Sequence, residues 1–157
     1  MAIPIRRPHP LIHSLAVMRP LLILPAAPAW DAVPLEFAIA GFDYAILYCT
    51  YTWALGSMLI GAVDIQVQAS PYVANLPVVQ NWFPQSLYVA GILAAGADVV
   101  SRVQREYVTY QATVINVAET FSRGPIRIAG AERVRVVARE SGDVALPGTL
   151  EVVAVFD

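Results

Sequence analysis

From Val63 to Ala69 apolar and polar residues alternate without a break: Val63, Asp64, Ile65, Gln66, Val67, Gln68, Ala69. That period of two belongs to a strand with one face buried. The stretch before it is its rival. Tyr44 to Val63 is a run of twenty residues without a charge, flanked by Asp43 and Asp64, and twenty apolar residues suffice for a bilayer-spanning helix. Tyr, Thr and Trp fill the middle of this run, which favours a pleated strand. Gly56-Ser57 and Gly61 interrupt it where a hairpin turn belongs. The alternating strand also begins inside its last residue. A strand, a turn and a second strand therefore account for the segment, and no membrane partner is expected.

Strand patterns dominate the rest. Expected strands are Glu36–Ala40, Phe42–Trp53 (with Phe42, Tyr44, Ile46 and Tyr48 on one face), Val63–Ser70, Leu87–Ile92, Tyr107–Val117, a short one after Gly124-Pro125 ending at Ile128, Glu132–Glu140 and Thr149–Phe156. Asn75–Gln85, with its two prolines and Trp82, reads as a loop, and Ala94–Asp98 as a turn. Seven or eight short strands with regular turn signals predict an all-β fold, an antiparallel β-sandwich of jelly-roll type, over residues 35–157.

Residues 1–34 differ. Seven of the twelve prolines lie there, at 4, 8, 10, 20, 25, 28 and 34, a density hostile to a helix or a central strand. The same segment holds Ile3, Ile5, Leu11, Ile12, Leu15, Leu21, Leu22, Ile23, Leu24 and Trp30. Burying ten such side chains yields roughly 15–30 kcal/mol, whereas fixing thirty backbones costs about 30–60 kcal/mol. An extended arm that orders only when docked on a partner is the expectation, and those ten residues are its candidate interface. Arg6-Arg7 followed by an apolar run resembles a leader, but the prolines break it, so the N-terminus is expected to be retained.

Counted with Gly and without Tyr, roughly 58% of the residues are apolar, against about 45–50% in ordinary globular chains. Charged residues are 14%, where about 25% is usual. A free monomer of 157 residues has too little interior for that surplus, so contacts with other subunits are expected. The net charge of −2 and the absence of a basic cluster beyond Arg6-Arg7 argue against nucleic acid. All ten basic residues are Arg, a residue suited to interfaces, although a GC-rich gene also favours it. Arg133, Arg135 and Arg139 share one strand face. They either keep an edge solvated or pair with a neighbouring subunit.

Chemistry is sparse. His9 and His13 have the i, i+4 spacing of a helical zinc pair, but Pro8 and Pro10 forbid that helix. Cys49 is the single cysteine and sits in an apolar run, as a buried inert thiol would. Asp43, Asp64 and Asp98 form no acid–base pattern, and the known nucleophile, phosphate and metal motifs are absent. Neither catalysis nor a cofactor is expected. Trp30, Trp53 and Trp82 suit core or interface anchors, with a sugar-stacking face as the alternative.

The arm from Ile3 to Trp30, the strands Phe42–Tyr48 and Val63–Gln68, and the C-terminal pair Arg133–Arg139 with Leu150–Phe156 together resemble the cement (decoration) proteins of tailed-bacteriophage heads. The resemblance implies a homo-oligomer, a trimer by preference, on the capsid exterior. There it would clamp major capsid subunits against internal pressure. A tail or baseplate protein, a carbohydrate-binding sandwich and a small membrane protein are the alternatives.

Overall fold

The computed structural model describes residues 2–5, 14–39, 41–71, 82–85, 87–90, 102–105 and 107–157, in which there are strands and no helix. In chain order the strands are β1 (Ile3–Ile5), β2 (Ser14–Ile23), β3 (Glu36–Ile39), β4 (Tyr44–Thr52), β5 (Ala62–Ser70), β6 (Phe83–Pro84), β7 (Leu87–Ala90), β8 (Arg102–Arg105), β9 (Val108–Gln111), β10 (Ala118–Arg127), β11 (Arg133–Glu140) and β12 (Thr149–Phe156). One sheet runs β10-β4-β12-β2. The other runs β1-β3-β11-β5-β6, with β9 also on β5, and β7 pairs with β8 in a small third sheet.

The pairing follows one plan. β5 pairs with β9, β4 with β10, β3 with β11 and β2 with β12, all antiparallel. Four strands thus fold back on four as one long hairpin. Rolling that hairpin up brings β12 onto β4 and β11 onto β5. Ala45, Leu47, Cys49 and Tyr51 of β4 and Leu150, Val152, Ala154 and Phe156 of β12 then share one buried cluster with Val63, Ile65 and Val67 of β5 and Val134, Val136 and Ala138 of β11. The alternation read from the sequence is the cause: in β12 every second residue is buried, as a strand with one core-facing side requires. The all-β, two-sheet expectation holds.

Within the expected arm over residues 1–34, the described stretch from Ser14 is built into the sandwich. Ser14–Ile23 is a ten-residue strand paired along β12, and β1 pairs in parallel with β3. Pro20 is tolerated because β2 lies at the sheet edge, where a missing N–H removes no ladder bond on the open side. The register slips near Arg19. Arg19 turns inward, is 4% exposed, and grips Asp31 through Nε and Nη2 at 2.9 and 3.1 Å. It also donates to the carbonyls of Leu22, Ile23 and Leu150, and Asp31 accepts the Ala138 N–H at 2.9 Å. Pairing along β12 and the link through Asp31 to β11 of the other sheet order the segment where side-chain burial alone does not.

Smaller departures have local causes. The strand expected over Tyr107–Val117 ends at Gln111, because the Glu119 carboxylate accepts the N–H groups of Thr113 and Val114 and folds the chain into a turn. β10 then runs unbroken past Gly124-Pro125 with a shift in register. Tyr44, Ile46 and Tyr48 do share a face, the outer one, but Phe42 precedes the strand and is buried. The Ala94–Asp98 turn, most of the Asn75–Gln85 loop, His9, His13, Leu11 and Ile12 lie outside the described residues.

Candidate assembly surfaces

The outer face of the β11 sheet is polar and satisfied from within the chain. Cross-strand pairing sets Arg133, Arg135 and Arg139 opposite Ser70, Gln68 and Asp64. Arg139 Nε meets Asp64 at 2.9 Å, Arg135 Nε meets the Gln68 side-chain oxygen at 2.7 Å, and Glu36 lies within 3.5–3.8 Å of Arg133 and Arg135. Aromatic rings lie over the guanidinium groups. Trp82 is 4.2 Å from Arg135 and Trp30 is 4.2 Å from Arg139, with Tyr107 edge-on to Trp30. Such stacking is favourable in itself. Burial lowers the Arg135 pKa, and Arg133 beside it pushes the same way while Glu36 opposes. Trp30 and Trp82 thus serve as lids over arginines. Asp64 is on this face but buried, and accepts from Thr109 and Ser141 as well.

The outer face of the β12 sheet is the opposite in character. Cross-strand rows run Leu15–Val155–Ile46 and Val17–Val153–Tyr48. Leu15, Val17, Ile23, Tyr44 and Tyr48 are exposed, with Leu21 and Leu22 beside them at the open edge of β2. Among the outward positions of β2, β4 and β12, Glu151 alone carries a charge, and β10 adds the exposed Arg127 opposite Tyr44. Tyr44, Ile46, Tyr48, Pro125, Val155 and Asp157 line a groove of about 380 Å³ in this face.

A second apolar surface lies at one end of the sheets. Leu55, Met58, Leu59 and Ile60, between β4 and β5, all project into solvent, and Met58 is 93% exposed. Two neighbouring loops add Val144 and Leu146, and Val114 and Val117. Hydrogen bonds hold the three loops together: Ser57 donates to Asp143 and Asn116 N–H to the Trp53 carbonyl. The Ser57 bond, with backbone N–H donors from the same turn, holds the Asp143 carboxyl below its ordinary pKa despite some opposing burial. Behind them Glu140, 0% exposed, accepts from Tyr51 at 2.8 Å and from the N–H groups of Ala62, Gly142 and Gly148 at 2.9–3.2 Å. Gly142 must be glycine, since a Cβ there would overlap the Ile60 carbonyl oxygen and the Ala62 nitrogen. Apolar side chains held outward on a braced turn are an interaction surface in form.

Of the interface residues expected from sequence, Leu15, Leu21, Leu22, Ile23 and Ile3 are exposed, Leu24 is in the core, and Trp30 is half-buried, stacked on Arg139. Ile5 is placed by its backbone alone, and Leu11 and Ile12 lie outside the described residues. Sequence reasoning missed the loop end. Gly56-Ser57 marked a turn there, and four large apolar residues around such a turn were the available sign. Among the described residues no group of three or more His, Cys, Asp or Glu side chains lies close enough to hold a metal ion, and no helix is long and apolar enough to cross a membrane. Comparison with family models, curated proteins and solved structures finds no match.

Proposed function

We propose that the chain is a structural subunit of a virion shell, a decoration protein that docks end-on through the apolar loops around Leu55–Ile60. The observation that supports this most is Met58: a large apolar side chain left 93% exposed on a turn whose backbone is braced by Ser57, Asp143 and Glu140. Leaving such a surface in water is costly, so the loops gain by burial against a partner. The pairing of β2–β5 with β9–β12 supports reading the sandwich as a jelly roll. Jelly rolls form capsid domains and lectins alike, so the fold adds plausibility and the loop end supplies the function. In this reading the loop end takes over the docking role first given to the proline-rich arm, because Ser14–Ile23 is built into the sheet.

The test is co-sedimentation with heads assembled from the major capsid protein of the same genome. The native chain should saturate the shell, and Met58→Asp with Leu59→Asp should stay in the supernatant. One observation favours a second reading: no charged residue occurs from Trp53 through Val63, so the same loops suit a lipid interface. Flotation with anionic and neutral vesicles separates the two. Binding to vesicles and not to shells would replace the first reading with the second.

A further inference from the structure

We infer that the outer face of the β12 sheet is covered by a second copy of this chain, packed face to face about a two-fold axis along β12. The inference deepens the shell reading by naming a neighbour, but it rests on the sheet face and not on the loop end, so either can fail alone.

The size of the face is the first argument. Leu15, Val17, Ile23, Tyr44 and Tyr48 are 43–71% exposed. At roughly 100 Å² per large aliphatic side chain and 150–250 Å² per tyrosine, they leave on the order of 400 Å² of apolar surface, with a contribution from Ile46, Val153 and Val155. A stable interface takes about 800 Å² from each partner, of which about 450–500 Å² is apolar. The face therefore offers nearly the whole apolar part of one such interface.

Its symmetry is the second argument. An isologous contact needs a protrusion and a recess at equal distances from the axis, on opposite sides of it. β2 and β4 are the two immediate neighbours of β12, each about 4.8 Å away. Leu15, 68% exposed, projects from β2, and the groove over Ile46 lies on β4. Leu15, Val155 and Ile46 stand in one cross-strand row. A two-fold axis along β12 sets the Leu15 of each copy over the Ile46 groove of the other, between Tyr44 and Tyr48, with Val155 facing Val155 at the centre. Glu151 lies between the Val153 row and the Thr149–Ile23 row, where the ~30° angle between packed sheets spreads the two carboxylates apart. Face-to-face packing closes at two copies, unlike the trimer that the family resemblance implies.

The experiment is light scattering of the full chain at tens of micromolar, with crosslinking as the second measurement. The expected mass is twice the 17.0 kDa of one chain. Leu15→Glu, at a solvent-exposed position, should weaken dimerisation by about tenfold or more without changing the circular dichroism spectrum. Should that variant unfold, Val155→Cys keeps the question open to test. A short bismaleimide should join Val155→Cys chains and leave Gln111→Cys chains single, because Gln111 is exposed on β9 in the other sheet and Cys49 is buried. A monomer at every concentration, a trimer, or equal crosslinking at both positions overturns the inference. A monomer that still sediments with shells removes the dimer alone, whereas a dimer that ignores shells removes the shell reading alone.

Discussion

A handful of residues set much of the chemical behaviour of this sandwich. Glu140 has all its acceptor capacity directed at donors in the loop-end framework. Burial pushes the Tyr51 phenol up, and its hydrogen bond to Glu140 adds to this. In Glu140→Gln an amide NH₂ group would face N–H groups, so a destabilisation of about 2–3 kcal/mol is expected in urea unfolding. The Cys49 pKa is pushed up to about 12 by burial, with Arg123 opposing. A thiol reagent at pH 8 should find no reactive group in the native chain and one per chain after unfolding. Carboxyls at the loops set the acid limit. Asp143 is held low by Ser57, and Glu119, despite a raising effect of burial, is held low by Tyr110, Val114 and Thr113. Both keep their charge to lower pH when folded than when unfolded, so the unfolded chain binds more protons in that interval. Their contribution is complete above the ordinary carboxylate pKa of about 4 and is lost as pH falls through the lowered folded values. The thermal midpoint should fall across that window, and Ser57→Ala should make the fall shallower.

At the scale of elements, β2 is the part whose role changed most between sequence and structure. A segment with Pro20, Pro25 and Pro28 reads as an arm, yet Arg19 ties it to Asp31 and, through the Ala138 N–H, to β11. Arg19→Ala leaves Asp31 without its cation and should cost roughly 3–5 kcal/mol, measurable by denaturant titration. Deleting residues 1–24 should unfold the domain, since the inner side of β12 then loses Ala16 and Met18 from the core. The strands β4, β5, β11 and β12 were legible because each buries alternate residues against one core. Partners of Arg19 and Arg139 were not legible, because ion pairs such as Arg19–Asp31 and Arg139–Asp64 link positions that only the rolled hairpin brings together. The loop end escaped for a related reason: Leu55, Met58, Leu59 and Ile60 look like core residues by composition, and only their place on a turn between β4 and β5 leaves them outside.

The whole molecule is asymmetric in a way that fits a building block. One outer face pairs its own arginines beneath tryptophans, the other is apolar across β2, β4 and β12 with Glu151, Arg127 and Asp157 as its charges, and one end presents apolar loops on a braced frame. Among the described residues, most of the exposed large apolar side chains thus lie on two surfaces. The most direct measurement of the proposed docking end is shell occupancy by quantitative co-sedimentation, comparing the native chain with Met58→Asp/Leu59→Asp at matched thermal stability. End-on docking predicts saturable binding of the native chain and loss of most of it in the variant. Equal occupancy of the two chains, or a native chain that remains in the supernatant, would contradict it.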